Sequence, residues 1–271
     1  MLPGNTDFIA DPFNLAFLGV FALVILTVAS TLVVAFVRTR QAVARGKAAQ
    51  MLWHEEFEEL PASAKECRHA FTGELPGRHC ARAFDCKGCE KHAELLSLSP
   101  ALPASDESGL DIPNDRLYHR GHAWLKPLDD GTVAVGLDDL ASRLVGKPDA
   151  LELPALGARV DENGPALRLR AGSARVRVAS PVTGEVVEHG SLSGPFLLRV
   201  RPTAGLDTRA LLTPREAAAY FTRELDRLQL AISGARGVPA LADGGLPVAD
   251  LGKAIPSEDR DRVLGEMLLE S

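Results

Sequence analysis

The chain has 271 residues, a formal net charge of −6 and a sequence pI near 5.7, with 46% apolar and only 5% aromatic residues. That length holds two small domains with accessories, and the apolar share suffices for a core. The acidic balance excludes a nucleic-acid binder, because phosphate neutralisation needs a concentrated basic face and only short basic runs occur.

The first predicted element lies between Phe13 and Val37, NLAFLGVFALVILTVASTLVVAFV, with no charged residue after Asp11 and before Arg38. Its length matches a hydrocarbon core of about 30 Å and exceeds the apolar centre of a signal peptide. The amino terminus carries Asp7 and Asp11 and no Lys or Arg, so the expectation is an uncleaved single-pass anchor. Arg38, Arg40, Arg45 and Lys47 follow the span, which puts the rest of the chain in the cytoplasm and the protein in the inner membrane. Residues 1–12 are then an extracytoplasmic tail and 13–38 the transmembrane helix. Residues 39–62 read as a juxtamembrane helix, basic first and acidic from Glu55 to Glu59, expected to be solvated and without a specific partner.

All four cysteines, Cys67, Cys80, Cys86 and Cys89, fall in one segment, residues 63–96. Disulfides are disfavoured in the cytoplasm, and thiols so confined share a job. Cys86 and Cys89 have the two-residue spacing by which one tight turn presents two thiolates to one metal, and Cys80 and Cys67 fold back to complete a tetrahedron. The expected cofactor is zinc or an iron–sulfur cluster, with redox thiols as the alternative. His69, His79 and His92 are nearby substitutes expected at the surface.

Residues 97–113, rich in Ser, Pro, Ala, Asp and Gly, read as a linker between separate cores. Beyond it the text turns to short strands and turns, over residues 114–205. Thr132 to Gly136, Leu151 to Leu153 and Arg159 to Val160 are strands, and Asp138 to Leu144 a short helix. Ala166 to Arg170 and Ala174 to Val178 flank Ala171, Gly172 and Ser173, a β-hairpin with its tip at those three. Arg168, Arg170, Arg175 and Arg177 line one face of it, either solvated or turned to an acidic partner. Glu185 to Glu188 and GPFLLRV at 194 to 200 follow as strands. In residues 206–234, Thr213 caps a helix, Pro214 fits its first turn and Glu216 completes a capping box. Ala217, Tyr220, Phe221, Leu225, Leu228 and Ile232 form its apolar stripe, expected to bury within the same chain. Residues 235–271 read as a loop and a final helix, Ser257 to Leu269.

The runs YHRGHAW, VAVGLDDLASRLVG, LELPALGARV and SPVTGEVVE resemble the H protein of the glycine cleavage system, a relative of lipoyl domains. The resemblance implies a lipoyl-type β-sandwich whose hairpin tip carries lipoate on a lysine. Counting back from Pro181 and Gly184 without a gap places Ser173 at that position, so no lipoate is expected. The cysteine segment also resembles a stretch that precedes degenerate H-like domains in a group of bacterial proteins, at its cysteines and at Phe84 and Asp85.

No phosphate-binding glycine loop and no nucleophile elbow occur. His119 and His122 have a spacing of three that suits a metal on a helix, but the resemblance assigns that run a structural role at the first strand. The expected fold class is α+β: a transmembrane helix, a cysteine-rich module, an H-like sandwich and carboxy-terminal helices. The expected function is non-enzymatic, a membrane-anchored scaffold or adaptor with an unidentified cytoplasmic protein partner. An iron–sulfur redox sensor or electron-transfer subunit is the alternative, and a working lipoyl carrier has the least support.

Overall fold

The structure is a computed structural model that describes residues 12–44, 47–96, 109–236 and 251–270. It divides into two compact bodies, Met1–Ala48 and Ala49–Ser271. The extracytoplasmic tail expected at residues 1–12 lies outside the described residues up to residue 11.

The first body holds helix α1, Pro12–Ala44. Its stretch Leu15–Gln41 has a mean hydropathy of 2.8 and an unburied apolar surface, so it is long and apolar enough to cross a membrane. The hydroxyls of Thr27, Ser30, Thr31 and Thr39 donate to carbonyls three or four residues earlier in the same helix. Such back-bonding satisfies these four hydroxyl donors in an apolar surrounding.

The second body is a sandwich of two antiparallel sheets with helices along it. Its strands are β1 Leu117–Tyr118, β2 Ala123–Pro127, β3 Val133–Leu137, β4 Ala150–Glu152, β5 Arg159–Val160, β6 Pro165–Ala171, β7 Ala174–Ala179, β8 Gly184–His189, β9 Leu198–Pro202 and β10 Leu269–Glu270. One sheet runs β1-β2-β3-β9-β8-β5 and the other β10-β7-β6-β4. Alternation along β6 sends Leu167, Leu169 and Ala171 inward and leaves Arg168 and Arg170 outside, while Ala166 is buried at a shift of register. The core between the sheets takes Leu125, Val135, Leu169, Val186 and Leu198.

Two helices close the sandwich. Helix α5, Asp139–Val145, starts at Asp138, whose Oδ1 accepts from the Ala141 amide. Helix α6, Pro214–Arg236, opens with the expected capping box: the Thr213 amide donates to Glu216, and the Glu216 amide to the Thr213 hydroxyl. Ala217, Phe221 and Leu228 along its apolar stripe are fully buried in the same core.

Several expectations change. Helix α2, Lys47–Glu59, is not solvated all round, because Trp53 and Phe57 are buried. The expected linker, 97–113, lies outside the described residues from 97 to 108, while Leu110 and Ile112 in its last part join the sandwich core. Within residues 235–271, residues 237–250 lie outside the described ones, and α7, Leu251–Ala254, is helical where a loop was expected. The final helix α8 is shorter, Arg260–Met267, and the chain then adds β10 to the edge of β7. Two residues are too short a run for alternation to betray a strand.

Candidate functional site

The tip of the β6–β7 hairpin is a two-residue turn, Gly172–Ser173, between the facing pair Ala171 and Ala174. Gly172 takes φ 68, which glycine adopts without a Cβ clash and which a primed hairpin turn requires at its first central position. Its amide donates to Asp149 at 2.8 Å. Ser173 is exposed, and its hydroxyl donates to Asp261 on α8. The place where the resemblance expects an arm is thus joined by a hydrogen bond to the carboxy-terminal segment of the same chain. The motif after the hairpin is sterically fixed: a Cβ on Gly184 would run into the Arg201 carbonyl across the β8–β9 ladder.

The cysteines sit in a segment with little regular structure: a single 3₁₀ turn at Ala62–Lys65, α3 at Arg68–Phe71 and α4 at Glu90–Leu96. Glu66 and His79 form an antiparallel bridge, with the Cys67 amide donating to Arg78 and the Cys80 amide to Lys65. Alternation puts Cys67 and Cys80 on one face of that short ladder. The Cys89 amide closes a turn on the Cys86 carbonyl. Between Cys80 and Cys86, Ala83 and Phe84 take φ 45 and 59, and the Asp85 amide donates to the Arg82 carbonyl across the turn. Two consecutive non-glycine residues in the left-handed region carry strain, which the surroundings must offset. Trp53 Nε1 donates to the Ala83 carbonyl at 2.7 Å, and Phe84 meets Phe57 edge to face.

All four cysteines are free and partly buried, and among the described residues no three His, Cys, Asp or Glu side chains are arranged to hold a metal. The Cys86 thiol sits among cations. Burial pushes it up on balance, and the guanidiniums of Arg68 and Arg120 offset only part of that rise. His69 and His92, expected at the surface, are buried; His69 bridges Glu74 at 2.5 Å and His92 at 3.0 Å, and only His79 is exposed. Burial, with Arg68 nearby, lowers His92 to about 4.

Arg68 ties this segment to α6. It forms a bidentate pair with Glu216 and donates to the carbonyls of Arg209 and Leu211 at 2.8 and 2.7 Å. Burial works against both charges, but the pair wins: Arg68 is raised and Glu216 lowered to about 2. Lys87 pairs with Glu162 beside β5, and Arg223 with Glu66. The cysteine segment is consequently not a module with its own core. No sequence signal marked Arg68 beyond its place beside Cys67, since its partner lies 148 positions away.

His119 and His122 do not converge on a metal. His119 Nε2 bonds Asn163 Oδ1 at 2.8 Å, and His122 Nδ1 bonds Asp138 Oδ2 at 2.9 Å. Burial lowers His119 to about 4. At His122 burial acts the same way, but the Asp138 carboxylate raises it on balance. Arg120 between them stacks on Phe84 at 3.8 Å, donates to the Glu66 carbonyl and forms no ion pair among the described residues. It lines a cleft of about 700 Å³ together with Trp53, Phe57, Tyr220, Glu224 and Met267.

The description "Glycine cleavage H-protein" belongs to the family model that matches residues 116–192. The glycine cleavage system H protein of Azoarcus sp. is 31% identical over 127 residues, 42% of this chain and 98% of that one. That of Nitrosospira multiformis is 34% identical over 123 residues, 41% and 93%. A solved glycine cleavage system H protein from Mycobacterium marinum aligns with 47% of this chain and 100% of its own, at 24% identity and a TM-score of 0.34. The four cysteines and the long apolar helix precede the residues that the family model matches. Through its sandwich, the chain belongs to the glycine cleavage H-protein family.

Proposed function

We propose that this chain is a membrane-anchored, non-lipoylated member of the family, acting as a non-enzymatic adaptor that presents its H-like body to a cytoplasmic protein partner. The observation that carries this reading is the hairpin tip, where Ser173 offers a hydroxyl already engaged by Asp261 and no amine for an amide link to lipoate. The apolar helix α1 with basic residues on one side supports the anchor and its orientation. The test is intact mass of the full chain after coexpression with a lipoate ligase. No added lipoyl group is expected, and one found on any lysine returns the chain to the carriers.

A second reading is a thiolate metal centre, zinc or an iron–sulfur cluster, at Cys67, Cys80, Cys86 and Cys89, serving structure or redox sensing. It is favoured by the surroundings of Cys86. Arg120 lacks an ion-paired carboxylate among the described residues, and thiolate charge would supply its counter-ion. Metal analysis and an absorption spectrum of the anaerobically purified chain distinguish colourless zinc, a brown cluster and four free thiols; the last result removes this reading.

A further inference from the structure

The outer face of the β6–β7 hairpin has an unusual charge pattern. Arg170 faces Arg175 and Arg168 faces Arg177 across the ladder, two like-charged pairs side by side. Like charges directly opposite one another destabilise a sheet. Arg177 is buried and paired with Glu56 of α2. The other three are exposed and form no ion pair among the described residues. The solvated alternative thus fails at Arg177, which meets an acidic partner within the chain, and three exposed guanidiniums remain, Arg168 with Glu152 of β4 opposite it and Arg170 and Arg175 facing each other, on a chain of net charge −6.

Chain connectivity gives the surface that would neutralise them. Glu56, which holds Arg177, follows Gln41, the end of the apolar stretch, by about 15 residues, a reach of at most about 50 Å. A tether that short keeps any lipid surface at a high effective concentration. Guanidinium forks match phosphate geometry bidentately, and an acidic body beside an anionic leaflet is repelled except where a basic face meets it.

We propose that Arg168, Arg170 and Arg175 form a docking face for the phosphate groups of anionic lipids, so that the hairpin that carries an arm in the carriers here rests on the membrane. This rests on the anchored reading of α1. The test uses the full chain in nanodiscs of phosphatidylcholine alone or phosphatidylcholine with phosphatidylserine, with arginine modification by phenylglyoxal read residue by residue by mass spectrometry. In the anionic discs, labelling of Arg168, Arg170 and Arg175 should slow about fivefold each, the contribution of one basic residue at an anionic surface. High salt should abolish the difference, and Arg201, exposed on β9 in the other sheet, should label equally in both discs. Equal labelling of the three in both discs overturns the docking face. So does protection that appears only when polyglutamate is added, which assigns the face to an acidic protein. A chain that enters neither disc overturns the anchor instead, and is recognised before any labelling is read.

Discussion

Near the tip of the β6–β7 hairpin the ladder partners lie a few positions apart: Ala171 faces Ala174, and Arg170 faces Arg175. In the cysteine segment the partners are remote. Arg68 reaches Glu216 across 148 positions, Lys87 reaches Glu162 across 75, and the Ala83 carbonyl is held by Trp53 across 30. The hairpin gains its shape from alternation and a turn, and would form wherever the two strands met a sheet. The segment from Ala62 to Leu96 has only one turn of 3₁₀ helix and two short α-helices of its own. Its shape is imposed by α2 and α6, so what happens at the cysteines is coupled to the H-like sandwich.

The sharpest way to break this contrast is Arg68→Met. It leaves the Glu216 carboxylate buried without its cation and frees the carbonyls of Arg209 and Leu211. Removing one partner of a buried pair costs about 3–5 kcal/mol. Chemical denaturation of the full chain should show that loss, with protease sensitivity spreading from the cysteine segment into α6. Cleavage confined to residues 65–92, with 114–202 fully protected, would restore the picture of an independent cysteine module.

Acid should act on the same join. His92 and His119 titrate near 4 in the folded chain against an ordinary 6.5, so below 6.5 the unfolded chain binds protons that the folded chain refuses. Stability should therefore fall between about pH 6.5 and 4 and level off there on this account. Glu216 adds a second loss, present as stability above 4.5 and gone as pH passes through about 2. Denaturation midpoints across this range check the order. A flat profile from 6.5 to 4 would mean that neither histidine is buried neutral.

A smaller effect sharpens the contrast at one atom. Trp53→Phe keeps an aromatic ring near Phe84 but removes the donor to the Ala83 carbonyl, inside a turn whose two central residues are both left-handed. The expected loss is about 1 kcal/mol, the net worth of one such hydrogen bond. If the turn were held by its own sequence, the change in midpoint would vanish.

The same contrast separates what the sequence discloses from what it hides. Alternation at Ala166–Arg170, the glycine of the tip and the Thr213–Glu216 capping box were all legible, because each is a pattern within a few residues. The burial of Trp53, Arg177, His69 and His92 was not, because in each case the cover comes from elsewhere in the chain. Glu56 reads as one charge in an acidic run and proves to hold Arg177. The cysteines were legible as a group, yet spacing alone did not foresee the guanidiniums of Arg68 and Arg120 around Cys86.

The smallest effect on stability belongs to the hairpin tip. Ser173 is exposed, so Ser173→Lys should change the denaturation midpoint by no more than about 0.5 kcal/mol, with the hydrogen bond to Asp261 replaced by an ion pair of similar worth. An amine at the tip is necessary for an arm but has to reach a ligase, and α8 holds Asp261 against that position. With the lysine alone, coexpression with a lipoate ligase should leave the intact mass unmodified. Adding Asp261→Ala removes the competing carboxylate and should allow at least partial lipoylation. If Ser173→Lys is modified to completion by itself, α8 plays no part in blocking the tip, and a single substitution separates this chain from the carriers. If the double variant also stays unmodified, features beyond the tip and its lock have been lost, and the family resemblance at the hairpin extends to its backbone alone.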